Sequence, residues 1–275
     1  MRLLTTMQFS RFWWGSFPET AYYVYQPPLP LSSRRREGTP FFTPESRVVI
    51  LMVAALVLGS VVTLAAYRLR LLTVDGAMAA LAVGTIILVA GGYGLVLILV
   101  LAFAASSILT RYRREEKGHP EHRRGRSASQ ILANGSVPAA FAVCWGFFDL
   151  PWALPAVVGA IAATTADTWA TELGLLSPRP PRLITTAAVV ERGRSGGITL
   201  LGTVSGVAGA LFVAILGRVF LDPLVAPGIL VGMIAGISGL FADSLLGATL
   251  QARWMTNDTV NLLATLVGAV VAALF

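Results

Sequence analysis

From Arg47 to its C-terminus the chain is a succession of apolar runs separated by short stretches that hold most of its charge. The runs are continuous and do not alternate with polar residues, so they fit helices that satisfy their own backbone hydrogen bonds in lipid, not barrel strands. The expected fold is therefore all-α: a polytopic transmembrane helical bundle. Eight candidate spans are read at 48–66, 74–91, 93–110, 131–148, 152–175, 196–220, 224–250 and 259–275. The second and third are parted only by Gly91-Gly92-Tyr93-Gly94 and form either a tight hairpin or one broken element. The fourth contains Asn134, Gly135 and Pro138, which predict a kink or a re-entrant start. Seven and eight spans both satisfy the pattern.

Composition agrees, with 55% hydrophobic and 13% charged residues among 275. Cys144 is the single cysteine, which excludes an intramolecular disulfide and a two-cysteine metal site. All basic residues but Lys117 are arginine, and the net charge of +7 lies in loops. That placement reads as membrane topology, with no nucleic-acid partner. Residues 1–47 differ from the rest: aromatic residues, then Pro27, Pro28 and Pro30, then Arg34 to Arg36. They read as a poorly structured tail without a secretory signal, compatible with an upstream start codon, ahead of a membrane domain at 48–275.

The loop at 111–126 holds Arg111, Arg113, Arg114, Lys117, Arg123, Arg124 and Arg126, and the positive-inside rule places it in the cytoplasm. Alternation then puts Arg68, Arg70 and the 177–195 loop on the same side, and Asp149 and Asp222 on the other. With this orientation the awkward polar residues converge on the cytoplasmic side: Asp75, Gln130, Asn134, Asp167, Thr171, Glu172, Asp243, Gln251, Asp258 and Asn261. An ionisable side chain within a span costs at least roughly 2.5 to 3.5 kcal/mol, so this convergence calls for a reason. Asp75 and Asp258 suit helix N-termini. Asp167 and Asp243 are harder to explain that way, because apolar residues continue beyond both. His119 and His122 read as solvated loop residues.

Asp167 and Asp243 occupy similar settings, Ala166-Asp167-Thr168 and Ala242-Asp243-Ser244, as in a short internal repeat. Carboxylates on opposing helices are how a divalent metal is held against a diphosphate. Gly193-Arg194-Ser195-Gly196-Gly197 leads into a helix whose first turn includes Thr199. Amides freed by glycine at a helix start bind phosphate oxygens, and Arg192 or Arg194 would add charge; a plain turn gives the same letters. Glycines at helical spacing, Gly228, Gly232 and Gly236 and also Gly202 and Gly206, read as close helix packing.

The blocks Gln130 to Gly135, Asp167 to Gly174, Pro181 to Thr185, Gly193 to Gly197 and Asp243 to Gln251 resemble, in order, the integral membrane family known as domain of unknown function 92. That family includes transmembrane protein 19 and plant and cyanobacterial phytyl-phosphate kinases. Asp167, Ala170 and Gly174 also form a D-x-x-A-x-x-x-G pattern similar to that of CTP-using lipid enzymes, although arginines stand where those enzymes place a lysine. The resemblance implies a membrane-embedded kinase that moves a phosphoryl group from CTP or another nucleotide to an isoprenyl monophosphate such as phytyl phosphate. The implied catalytic residues are Asp167, Glu172 and Asp243, with Mg2+ on Asp167 and Asp243. Nucleotide phosphates fall to Gly193, Arg194, Gly196, Gly197 and Thr199, and a lipid-phosphate or polar network to Gln130, Asn134 and Gln251. The rival readings are a transporter or flippase of a lipid phosphate or small anion, and a CTP-dependent cytidylyltransferase. For a prokaryotic chain the expected location is the cell membrane, with the active face cytoplasmic.

Overall fold

The computed structural model describes residues 44–117, 125–222, 226–251 and 254–275. Most of the tail, together with His119 and His122, lies outside the described residues. Two compact units divide at Leu58, and the helical bundle is the second, from Gly59 onward. The helices are α1 (Pro44–Arg68), α2 (Val74–Arg111), the short α3 (Arg114–Lys117), α4 (Ala128–Phe148), α5 (Ala153–Gly174), α6 (Leu200–Phe220), α7 (Ile229–Leu246) and α8 (Asn257–Ala273). A π-helical turn, Gly247–Gln251, extends α7, and two short strands, β1 (Arg182–Leu183) and β2 (Gly197–Ile198), lie between α5 and α6. Among the described residues α2, α4, α6 and α7 with its π turn are long and apolar enough to cross a membrane. Helix α6 starts at Leu200, four residues later than the expected 196, because Thr199 caps it: its hydroxyl accepts the Gly202 N–H at 3.0 Å.

The broken element at 74–111 is a hairpin. Gly92 interrupts α2 with φ 76° and ψ −177°, a backbone geometry that glycine adopts without a steric penalty. The Thr73 amide donates to the Arg126 carbonyl at 3.1 Å, while the Arg126 guanidinium lies 5.0 Å from the centre of the Phe103 ring. A straight helix would separate residues 73 and 103 by about 45 Å, far beyond the reach of one arginine. The arms at 74–91 and 93–111 therefore run antiparallel.

Helix α5 is the centre of the bundle. Thirteen of its 22 residues are buried, and it packs on α2, α4, α6, α7 and α8. Its faces are built from alanine and meet glycines of its neighbours. A Cβ at Gly239 would sit 2.3 Å from the Ala163 Cβ, one at Gly268 would sit 2.6 Å from the same atom, and one at Gly206 would sit 3.0 Å from the Ala166 carbonyl. Gly232 and Gly236 likewise press on Ala214 and Ala210 of α6, as their spacing predicts, whereas Gly228 has open space and caps α7 instead. These contacts order the helices. Residues 202, 209 and 217 of α6 pass residues 170, 165 and 158 of α5, so the two run antiparallel, and Gly236 and Gly239 pass Ala162 and Ala163, so α7 runs parallel to α5. One end of the bundle consequently collects Thr73, Arg126, Glu172, Thr199, Asp243 and Asn257. We call it the polar end.

Lys117, one of the charges of the segment read as a loop at 111–126, lies in a short helix and is buried. Its ammonium lies 2.8 Å from Glu172 Oε2, with side-chain exposures of 1% and 5%, and also donates to the Leu109 carbonyl at 2.6 Å. It thus caps the second arm of α2 and ties that arm to α5. Losing one partner of a buried pair strands the other charge and costs about 3 to 5 kcal/mol, whereas an apolar replacement of both is close to neutral. Lys117→Met and Glu172→Gln are each expected to lower stability by that amount in mixed-micelle unfolding, with the double variant Lys117→Met/Glu172→Leu recovering most of it; additive losses in the double variant would contradict the pairing.

The glycine contacts make a second expectation. Gly239→Ala should destabilise by about 1 to 3 kcal/mol through overpacking against Ala163. Gly84→Ala, where nothing lies within 4 Å, should be neutral or stabilise by up to about 1 kcal/mol through helix propensity. Equal effects at the two positions, measured by the same unfolding assay, would rule out the proposed contact.

Candidate functional site

The segment between α5 and α6 is built from turns. Arg194 N–H donates to the Glu191 carbonyl at 3.2 Å, and Gly197 N–H to the Arg194 carbonyl at 2.9 Å. Each turn has glycine at its third position with positive φ, 80° at Gly193 and 76° at Gly196, as a turn of this kind demands. Strand β1 pairs antiparallel with β2, Arg182 opposite Ile198 and Leu183 opposite Gly197. Gly196 rests on the π turn: a Cβ there would lie 2.4 Å from the Ala248 Cβ. The end of α7 thereby holds the glycine loop, and α7 is also the helix that carries Asp243.

The two arginines of this loop separate in role. Arg192 donates to the Leu175 carbonyl at 3.1 Å and the Ser177 carbonyl at 2.7 Å, closing the C-terminus of α5. The Arg194 side chain is exposed and forms no hydrogen bond or ion pair among the described residues. Gly193, Ser195 and Gly196 donate no backbone hydrogen bond among the described residues.

Asp167 and Asp243 face each other across α5 and α7 as an interacting carboxyl pair lining one cavity. The packing register explains this. Gly239 abuts Ala163, and one turn farther along the two parallel helices the same register brings Asp243 to Asp167. Both acids line a cavity of about 170 Å³ with residues 193–197 of the loop, Thr199, Gln251 and Asn257. Asp243 Oδ1 is buried and has no hydrogen-bond partner among the described residues. Two carboxylates in contact repel unless a proton or a cation lies between them.

These features fit a divalent cation. Mg2+ takes one or two protein carboxylates and completes its six oxygen ligands from water and substrate phosphates. Among the described residues no group of three or more His, Cys, Asp or Glu side chains could hold a metal, so a cation at this acid pair would need those outside oxygens.

Eight of the residues singled out from sequence come together here: Asp167, Asp243, Gly193, Arg194, Gly196, Gly197, Thr199 and Gln251. Three do not line the cavity. Glu172 lies on another face of α5, in its pair with Lys117. Gln130 forms a capping box with Ser127, and Asn134 Nδ2 donates to the Gln130 carbonyl at 3.1 Å. Two further lining residues do not stand out in the sequence. Thr203 stands one turn after Thr199, a spacing that shares a helix face. Asn257, which accepts from Gln251 Nε2 at 3.2 Å, directly precedes Asp258.

The chain is 35% identical over 228 residues to an uncharacterized membrane protein of Methanocaldococcus jannaschii, covering 82% of this chain and 94% of that one. It is 32% identical over 212 residues to an uncharacterized membrane protein of Synechocystis, covering 74% and 82%. It is 26% identical over 216 residues to Protein VTE6, chloroplastic, of Arabidopsis thaliana, covering 74% and 65%. No solved structure matches it. The apolar helices with one polar end are those of a membrane protein, and with residues 57–269 matching the family described as integral membrane protein DUF92, the chain belongs to that family.

Proposed function

We propose that this protein is a membrane-embedded kinase that transfers a phosphoryl group from CTP or another nucleoside triphosphate to an isoprenyl monophosphate. The observation that carries the reading is the meeting, in one cavity at the polar end, of a facing acid pair with an orphaned Oδ1 and a glycine loop with an unengaged arginine. The resemblance to phytyl-phosphate kinases and the likeness to Protein VTE6 support it. Asp167 and Asp243 would hold Mg2+, which would supply positive charge to neutralise the phosphates. The free loop amides and Arg194 orient the nucleotide phosphates. Thr199, whose oxygen accepts at the cap, retains its own O–H for donation. A phosphate oxygen of the lipid attacks the terminal phosphorus of the nucleotide; a P–O bond forms, the bond to the bridging oxygen breaks, and the nucleoside diphosphate leaves with the electron pair. The attacking oxygen is already anionic, so in-line positioning and charge neutralisation suffice and no general base is required.

The gathering of polar groups at one end favours an interfacial enzyme over a carrier, whose polar groups belong near mid-membrane. The arginines beside the cavity favour a cytoplasmic polar end. A Ser195→Cys variant in a Cys144→Ala background should react with an impermeant maleimide in inside-out vesicles only; labelling in right-side-out vesicles would reverse the orientation.

The direct test supplies protein in detergent with Mg2+, labelled CTP or ATP, and phytyl, geranylgeranyl or farnesyl monophosphate. Label is expected in a lipid diphosphate. Asp167→Asn should lower turnover at least about 100-fold, and Arg194→Gln should raise the nucleotide KM about 10- to 100-fold. Label in a nucleotide-lipid conjugate would identify a cytidylyltransferase, and no turnover in folded protein would refute the kinase.

A further inference from the structure

The acid cavity has an apolar side as well as a polar one. Phe241 of α7 and Thr203 of α6 line it together with Asp167 and Asp243. Phe241 is also 36% exposed on the outside of the bundle. It stands ten residues, about 15 Å, short of Gln251, where the membrane-crossing length of α7 and its π turn ends. At that depth the surroundings are hydrocarbon and not water. One aromatic side chain therefore belongs both to the cavity wall and to the lipid-facing surface.

The seam between α6 and α7 shows where these two surfaces join. A Cβ at Gly232 would lie 3.0 Å from the Ala214 Cβ, one at Gly236 would lie 2.6 Å from the Ala210 Cβ, and one at Gly206 would lie 2.5 Å from Leu240 Cδ2. Each step moves four residues along both antiparallel helices, so the seam is shut at three successive levels. At the next level Gly202 of α6 still presses on α5, its Cβ position 2.8 Å from the Ala170 carbonyl, while α7 presents Asp243 and Phe241 to the cavity. The cavity thus begins where the seam stops being closed, with Thr203 on one side and Phe241 on the other. From Phe241 an apolar ridge continues away from the polar end through Ile237 and Ile234, four and seven residues back on the same helix face. Ile234 is 37% exposed, and Ile237 packs on the Ala166, Ala210 and Leu240 cluster.

We propose that the seam of α6 and α7 is the side entrance for the lipid phosphate: its phosphate enters the cavity between Thr203 and Phe241, and its apolar chain stays outside along Phe241, Ile237 and Ile234. A ligand that fills both surfaces needs an anionic head on an apolar chain, which is the chemistry of an isoprenyl monophosphate. The inference rests on the lipid phosphate named under the proposed function, but not on the phosphoryl transfer. It gives the two substrates separate routes, the lipid from within the bilayer and the nucleotide from the polar end over the glycine loop. In-line transfer requires attacking and leaving oxygens on opposite sides of the phosphorus, and separate routes supply that arrangement.

The test uses the full chain in dodecyl maltoside with Mg2+ and a geranylgeranyl monophosphate that carries a diazirine on its first isoprene unit. Adducts are mapped by mass spectrometry with and without excess unlabelled lipid. Adducts that the unlabelled lipid suppresses are expected on α6 and α7 around Thr203 and Phe241. Suppressible adducts confined to other helices, or no suppressible adduct at all, would overturn the proposal. Phe241→Ala should weaken competition by unlabelled geranylgeranyl monophosphate about tenfold and leave competition by isopentenyl monophosphate unchanged. Leu266→Ala, at an exposed apolar position of α8, should change neither; an equal effect of Phe241→Ala on both lipids would count against the route. Adducts on the native chain decide the matter if Phe241→Ala does not fold. Turnover measured in parallel separates the two readings: suppressible adducts at the seam without turnover keep the entrance and refute the kinase, whereas turnover with adducts elsewhere refutes the entrance and keeps the kinase.

Discussion

The structure depends on enclosing α5. A helix that carries Asp167 and Glu172 among alanines cannot face hydrocarbon, where each charge would cost several kcal/mol. It must be surrounded, and the other helices do this by bringing small residues against it. Gly239 and Gly268 both press on Ala163, so α7 and α8 approach α5 backbone to backbone. In lipid such contacts gain little from the hydrophobic effect; close van der Waals packing supplies the association. The same crowding that protects α5 sets its register with α7.

That register is what turns packing into a site. With Gly239 on Ala163, the next turn places Asp243 on Asp167. The two acids of α5 then meet opposite fates. Glu172 is neutralised within the protein by Lys117, in a contact that also closes the hairpin arm. Asp167 meets another acid, and Asp243 Oδ1 remains without a hydrogen bond among the described residues. A charge matched by its own fold serves architecture, while a charge matched only by something outside the chain marks a place for a ligand. By that criterion Glu172 belongs with the scaffold and Asp167 with the candidate site.

Local sequence pattern makes much of this legible. The apolar periods locate the helices, and glycine spacing predicts the contacts of Gly232, Gly236 and Gly206. Alternation across the spans gathers Asp167, Asp243 and the glycine loop at one end. Pairings between distant segments are not legible. Lys117 reads as one more loop cation because nothing around it in sequence points to a carboxylate 55 residues away. Gln130 and Asn134 read as site residues because their spacing shares a face, but the capping box and the Gln130 carbonyl use them locally. For 74–111, glycines alone permit either a bend or a reversal; the decision lies in Arg126, which holds Thr73 with its carbonyl and covers Phe103 with its guanidinium.

The glycine loop shows why structural and chemical readings of the same residues need not compete. Gly193 and Gly196 are required by the turns, through their positive φ, and Gly196 also by Ala248. Those same turns consume the N–H groups of Arg194 and Gly197 and leave those of Gly193, Ser195 and Gly196 without backbone acceptors among the described residues. Arg192 anchors the loop to α5, so Arg194 is held at the cavity by a scaffold that does not use its charge. With the end of α7 supporting the loop and presenting Asp243 beside it, any displacement of α7 against α5 moves both the acid pair and the loop. The distance between the acid pair and the glycine loop is therefore set by helix packing, and the small residues of α5 and α7 shape the candidate site although none of them lines it with a polar group.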